Sequence, residues 1–370
     1  MPYGSGVNSV PGIEDPARLD SWISAHVAID TAAAGQSAGD GPGSGRLRQI
    51  RLISGGRSNL TYRLDLGDAS VVLRRPPLGH VLPTAHDMSR EYRVLTALAG
   101  TDIPVPTPIA FCADIEVVGA PFYLMGYVEG EVLRTKDDGA HLTPEQAREL
   151  SEQLVDMLAA IHAVDVDAVG LTGFGRPEGY MARQLARWQR QWELSNTRDM
   201  PGYDDLVRRL AAGLPESAEG TLVHGDLRLD NMLVRIEPTP TIAAVVDWEM
   251  STLGDPMADL GLTLMYWTDP GEDDWLRLSE GGSVTTVPGF LRRAEAAARY
   301  AELTGRDISG IGYYLAFGCF KLAVVLEGIH ARFLQNKTVG EGFEREGPAV
   351  PKLIERAHRL LDEGAVGAVS

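Results

Sequence analysis

Two short segments of this 370-residue chain hold side chains that could do chemistry together. The first, TLVHGDLRLDNMLVRI, runs through His224-Gly225-Asp226 and reaches Asn231 five residues after the aspartate. The second, TIAAVVDWEMSTLGDPMADLG, carries Asp247-Trp248-Glu249. Each sets a carboxylate just after an apolar, β-rich run. An aspartate, an asparagine and a second aspartate at strand ends can ligate a divalent cation and face a hydroxyl, which is what phosphoryl transfer from ATP requires. His-Gly-Asp by itself is weak evidence. The ordered pair of segments carries the inference.

Within that pair, Asp226 is the candidate catalytic base, because a carboxylate beside an acceptor hydroxyl can orient it and take its proton. The rival reading is a turn aspartate bonded to its own backbone. Asn231 and Asp247 are the candidate Mg2+ ligands, since magnesium keeps several waters and needs few protein oxygens. Asp247 ends the apolar run 242–246, a buried strand that would fix its position. His224 reads as support for the loop backbone. Asp255 and Asp259 read as braces for the loop and caps for the next helix. Trp188, Trp192, Glu193, Trp267 and Asp269 could line an acceptor pocket, but aromatics at helical spacing read first as core.

The elements that must position these groups follow from periodicity. Leu19, Trp22, Ile23 and Val27 recur at helical spacing, with Asp15 as N-cap before Pro16. TAAAGQSAGDGPGSGRL then reads as a flexible linker. QIRLISGG, NLTYRLDLG and SVVLRRP read as three strands of a meander, followed by a helix with Met88, Tyr92, Leu95 and Leu98 in register. PIAFCAD and PFYLMGYVEG read as two further strands. From Leu142 the chain turns helical, opening on Thr143, Pro144 and Gln146, a strong helix start. The organisation predicted is an N-terminal helix and linker over 1–45, a strand-rich lobe over 46–128 and a helical lobe over 129–370.

Those motifs resemble the aminoglycoside phosphotransferase (APH) family, whose fold is similar to that of eukaryotic protein kinases, over nearly all of the chain from Gln49. VVLRRPP, FYLMGYVEG and GCFKLAVVLEGIHARF, with the two segments above, look most like the branch related to the kinase-like domain fused to some acyl-CoA dehydrogenases. The resemblance implies an α+β, bilobal protein-kinase-like fold: a five-stranded antiparallel sheet with one helix, then a mainly helical C-terminal lobe. It implies ATP and Mg2+ as cofactors, and a small-molecule hydroxyl as the acceptor of the γ-phosphate. In VVLR, Arg74 stands where kinases present a phosphate-gripping lysine, with Glu91 as its partner; the register could instead choose Arg75. Arginine is bulkier and planar yet suited to phosphate. Arg228 takes the place of a phosphate-facing kinase lysine, although a solvated loop arginine is the alternative.

By the same resemblance, the backbone of Ser54, Gly55 and Gly56 would cover the phosphates, and that of Gly126 and Val128 would meet the adenine edge. Relatives are known for aminoglycosides, macrolides, choline, homoserine and hydroxyacyl thioesters, so the acceptor, ATP against GTP, and the oligomeric state stay open. The arginine at 74 and the non-standard glycine turn motivate a rival: a nucleotide-binding regulatory protein with a kinase fold and little turnover.

Bulk properties narrow the classes. A net charge of −17 argues against a nucleic-acid binder, which normally shows a basic face. Two distant cysteines, Cys112 and Cys319, give neither a disulfide framework nor a zinc site and fit a cytoplasmic protein. MPYGSGVNSVPGIED has neither a basic n-region nor an apolar h-region, so no signal peptide is expected in it. IGYYLAFGCFKLAVVLEGI, interrupted by Lys321 and Glu327, reads as a buried core helix and not a membrane span.

Overall fold

The structure, a computed structural model, describes residues 7–27, 46–53, 59–67, 69–78, 87–216, 220–272, 282–335, 343 and 346–369. Most of the expected linker lies outside these residues. By contacts the chain forms two compact units: Met1–Glu129 with Ala244–Glu249, and Gly130–Ala243 with Met250–Ser370.

The first unit holds α1 (Pro16–His26), β1 (Leu47–Leu52), β2 (Leu60–Leu66), β3 (Ala69–Arg75), α2 (Met88–Leu98), β4 (Pro108–Cys112), α3 (Ile115–Val118) and β5 (Phe122–Gly126). Its five strands pair antiparallel in the order β1-β2-β3-β5-β4. Strand alternation separates two faces. Tyr62, Leu64, Leu73, Phe122 and Leu124 face Leu19 and Ile23 of α1 in one core cluster. Fully burying a side chain of that size contributes about 2 kcal/mol. Asp15 caps α1 through the amides of Ala17 and Arg18, with Pro16 in the first turn, and such a cap contributes about 1 kcal/mol. The opposite face carries Tyr123, whose ring meets Tyr92 of α2 at 5.9 Å. Register puts Arg74 opposite Tyr123, so Arg74 points to the α2 face.

The second unit contains α4 (Pro144–His162), α5 (Tyr180–Ser195), α6 (Tyr203–Ala212), β6 (Thr221–Val223), β7 (Met232–Arg235), β8 (Thr241–Val245), β9 (Thr252–Gly254), α7 (Pro256–Tyr266), α8 (Arg293–Thr304), α9 (Ile311–Leu334) and α10 (Glu346–Val369). Helix α4 opens on the expected capping box, Thr143 with Gln146. Strand β6 pairs antiparallel with β9, and β7 pairs with β8, which runs on into the first unit. Helix α9 is long and apolar enough to cross a membrane by composition; here it packs against α5, α7 and α10. Gly261 lets α7 approach α9 closely, because a Cβ there would stand 2.6 Å from the Cβ of Tyr314.

Candidate active site

In the first unit the chemistry gathers on Arg74. Its guanidinium Nε donates to Oε2 of Glu91 at 3.0 Å, and its Nη2 donates to Oδ1 of Asp247. Glu91 sits in the first turn of α2, whose start is fixed by Asp87 accepting from the amides of Ser89 and Arg90. Only 1% of the Glu91 side chain is exposed. Burial pushes its carboxyl up to about 7, opposed by Arg74 and helped by Asp247 and Glu249. Burial works against the Arg74 charge, but Glu91 and Asp247 outweigh it and raise its pKa. Asp247 adopts φ 68°, the sole non-glycine in the left-handed region among the described residues, a conformation that costs on the order of 1 kcal/mol. Beside it, Glu249 Oε2 accepts from Asn59 Nδ2 at 2.9 Å. One guanidinium thus serves a cluster of three carboxylates, an excess of negative charge that suits a cation.

Arg75 projects to the other face of the sheet, where it donates to the carbonyls of Gly12 and Val118. Of the two arginines, Arg74 is the one set on the Glu91 side. Gly126 ends β5 and gives its N–H to the Thr107 carbonyl at 2.8 Å, and Val128 follows, partly exposed. Ser54, Gly55 and Gly56 lie outside the described residues.

In the second unit the chemistry sits on the loop after β6. Gly225 turns there at φ 84°, and a Cβ would stand 2.8 Å from the Met250 carbonyl oxygen, so no other residue fits without strain. The loop is held almost entirely through its backbone. Buried Asp259 of α7 accepts the N–H groups of His224 (2.7 Å) and Gly225 (2.8 Å). Although burial opposes it, hydrogen bonding and charge from His162, His224 and the loop amide lower the Asp259 pKa. Thr263 Oγ1 donates to the Leu227 carbonyl at 2.9 Å, and Lys321 Nζ donates to the Gly225 carbonyl at 3.1 Å. The Asp226 amide donates to Nδ1 of fully buried His224 at 3.3 Å.

Asp226 is the carboxylate this scaffold presents. Asn231 Nδ2 donates to its carbonyl (2.8 Å) and to its Oδ2 (3.1 Å), which leaves the Asn231 amide oxygen as a hard donor for a cation. Thirty per cent of the Asp226 side chain is exposed. Arg228 lies 3.9 Å from Asp226 Oδ2, pairs with Asp230 at 3.1 Å and stacks over Tyr266 at 4.7 Å. Asp255 caps α7 and accepts from Tyr314 at 2.8 Å. Among the described residues no three His, Cys, Asp or Glu side chains gather into a metal cage. An amide oxygen or a single carboxylate is a hard oxygen donor of the kind magnesium accepts, and neither matches the nitrogen and sulfur ligands that zinc favours.

Sequence reasoning missed two participants. Lys321 registers in the sequence only as a break in an apolar run; its bond to Gly225 spans 96 residues. The Asn59–Glu249 pair spans 190, and no local pattern announces it.

Comparisons with known proteins bear on this geometry. The family model described as "Phosphotransferase enzyme family" matches residues 49–295. The chicken protein named acyl-CoA dehydrogenase family member 11 is 34% identical over 318 residues, covering 84% of this chain and 40% of that protein. The chain therefore spans about two fifths of that relative's length. The crystal structure of a Ralstonia eutropha protein, described as a "putative aminoglycoside phosphotransferase", is 32% identical with a TM-score of 0.76, covering 95% of this chain and 99% of that one. A spectinomycin phosphotransferase shares the kinase-like fold at 15% identity and a TM-score of 0.56, covering 93% and 98%.

Proposed function

We propose that this chain, which belongs to the phosphotransferase enzyme family, moves the γ-phosphate of ATP to a hydroxyl group of a small molecule with the help of Mg2+. The observation that carries the reading is Asp226: a partly exposed carboxylate on a loop whose backbone is fixed by Asp259, Thr263, Lys321 and His224. A base held this way orients an acceptor hydroxyl with little reorganisation at the moment of reaction. The acceptor oxygen bonds to the γ-phosphorus, the bond to the bridging oxygen breaks, ADP leaves, and the hydroxyl proton passes to the Asp226 carboxylate. The spectinomycin enzyme of this fold was solved with ADP and spectinomycin, which supports a nucleotide as donor.

The remaining residues take supporting roles in this reading. Arg74, held by Glu91, steadies the α- and β-phosphates, and Arg228 meets the transferred group. The amide oxygen of Asn231 and the carboxylate of Asp247 are the groups that would hold Mg2+, which would offset phosphate charge when bound. The backbone at Gly126 and Val128 receives the adenine.

One observation favours a second reading. Arg74 stands in place of a lysine and is already engaged by Glu91 and Asp247, as in a protein that binds nucleotide without turning it over. Screening the full chain with Mg-ATP against aminoglycosides, hydroxyacyl-CoA compounds and simple alcohols for acceptor-dependent ADP release separates the two. ADP release with any acceptor supports the transferase. Tight Mg-ATP binding by calorimetry, with no release across the set, supports the regulatory protein.

A further inference from the structure

Lys321 lies in the middle of α9, the most apolar long helix of the chain. Its ammonium spends one N–H on the Gly225 carbonyl, at 3.1 Å. Among the described residues no carboxylate stands within ion-pairing distance of it, although Asp226 and Asp259 act on its charge from further away. An ammonium has three donors and pays a large desolvation cost when left underused. Beside it stands Trp188 of α5, with Lys321 Nζ 5.6 Å from the ring centre. Trp188 is 8% exposed, and its indole N–H is buried with no acceptor. The Arg187 guanidinium lies over the same ring at 5.4 Å. Two cationic side chains therefore flank one indole whose own N–H is unpaired, in the unit that presents Asp226 and within a chain whose net charge is −17. Buried donors without acceptors are rare in folded proteins.

We infer that Lys321 and Trp188, with Arg187 at the rim, form a receptor for an oxygen anion carried by the acceptor molecule, a carboxylate or a phosphate monoester, so that the acceptor is anionic. The inference deepens the phosphotransferase reading and rests on it for the anion's place in the reaction; the binding itself does not. An acceptor reaching Asp226 with its hydroxyl and Lys321 with its anion is held at two points. A polycationic acceptor would bring like charge against a poorly solvated ammonium, an unfavourable contact where the effective dielectric is low.

The test compares matched probes by intrinsic tryptophan fluorescence and thermal shift of the full chain: 3-hydroxybutyrate against 3-hydroxybutyramide, and glycerol 3-phosphate against glycerol. The charged member of at least one pair should bind about tenfold tighter than its uncharged partner, as charge-assisted hydrogen bonds require. Whichever pair shows the larger gap names the anion as carboxylate or phosphate. Lys321→Met, which keeps the apolar stem, should abolish the preference. Trp188→Phe, which keeps a ring and removes the N–H, should weaken the charged probe about fivefold and leave the uncharged one alone. Equal binding within both pairs overturns the inference, and so does a preference that survives in Lys321→Met or is undiminished in Trp188→Phe. Acceptor-dependent ADP release is read in parallel. Lys321-dependent anion binding without ADP release keeps the receptor and removes the phosphotransferase reading. ADP release indifferent to acceptor charge keeps that reading and removes the receptor.

Discussion

Asp247 of the first unit and Asp226 of the second are held in opposite ways. Asp247 sits at a strained φ of 68° and is bound side chain to side chain, by an arginine that also serves Glu91. Asp226 sits on a loop gripped through its backbone, by Asp259, Thr263, Lys321 and His224, with its carboxylate partly open. Side-chain ion pairs can exchange partners when a cation or a phosphate arrives; backbone anchors of this kind cannot. The contrast teaches that Asp226, the proposed base, is built to stay where it is, while Asp247, the proposed metal ligand, is built to change company.

Substitutions can break that contrast, and the largest effect is expected at the open carboxylate. Asp226→Asn keeps the shape and the Asn231 contact to the backbone carbonyl but removes the base. Acceptor-dependent turnover should fall about 1,000-fold or more, with Mg-ATP affinity by calorimetry little changed. Arg74→Ala strips both partners from one guanidinium and leaves a nearly fully buried Glu91 without its cation, so weaker nucleotide binding and a lower Tm should appear together. Arg74→Lys sharpens the comparison, because one ammonium cannot reproduce the planar fork that serves two acids. Its nucleotide affinity should fall between those of the wild type and Arg74→Ala.

The backbone anchors have their own signature. Asp259→Asn should lower stability at neutral pH by about 3 kcal/mol in denaturant titrations, since a buried acceptor of two amides and a histidine bond is replaced. The Asp259 pKa is lowered on folding, so its unfolded state binds more protons. Its contribution is complete above the usual carboxylate value near ~4 and fades as pH falls through the lower folded value. The gap between wild type and variant should therefore narrow on acidification; a gap constant with pH would contradict the assignment. The smallest effect is expected at Thr263→Val, which removes one neutral hydrogen bond to Leu227 and should cost about 1 kcal/mol.

Local features of the sequence made much of this legible. The caps at Asp15, Thr143 and Asp255 each lie within three residues of the amides they serve, so pattern reading finds them. His224, Asp226 and Asn231 likewise bond to one another across at most five positions. Alternation in VVLRR put Arg74 and Arg75 on opposite faces, but only the sheet shows which face meets Glu91. The placement of β5 between β3 and β4 was not legible, because strand order is decided by long-range burial. Neither was Lys321: a charge in an apolar run reads as an interruption until the fold brings Gly225 and Trp188 to it.

The most direct test of the account follows the phosphorus itself. With the best acceptor from the screen, phosphorus NMR of a reaction containing the full chain, Mg2+ and ATP should show a new phosphate monoester on the acceptor growing in step with ADP, and no such signal with Asp226→Asn. Inorganic phosphate in place of the monoester, or an undiminished monoester signal from Asp226→Asn, would contradict it.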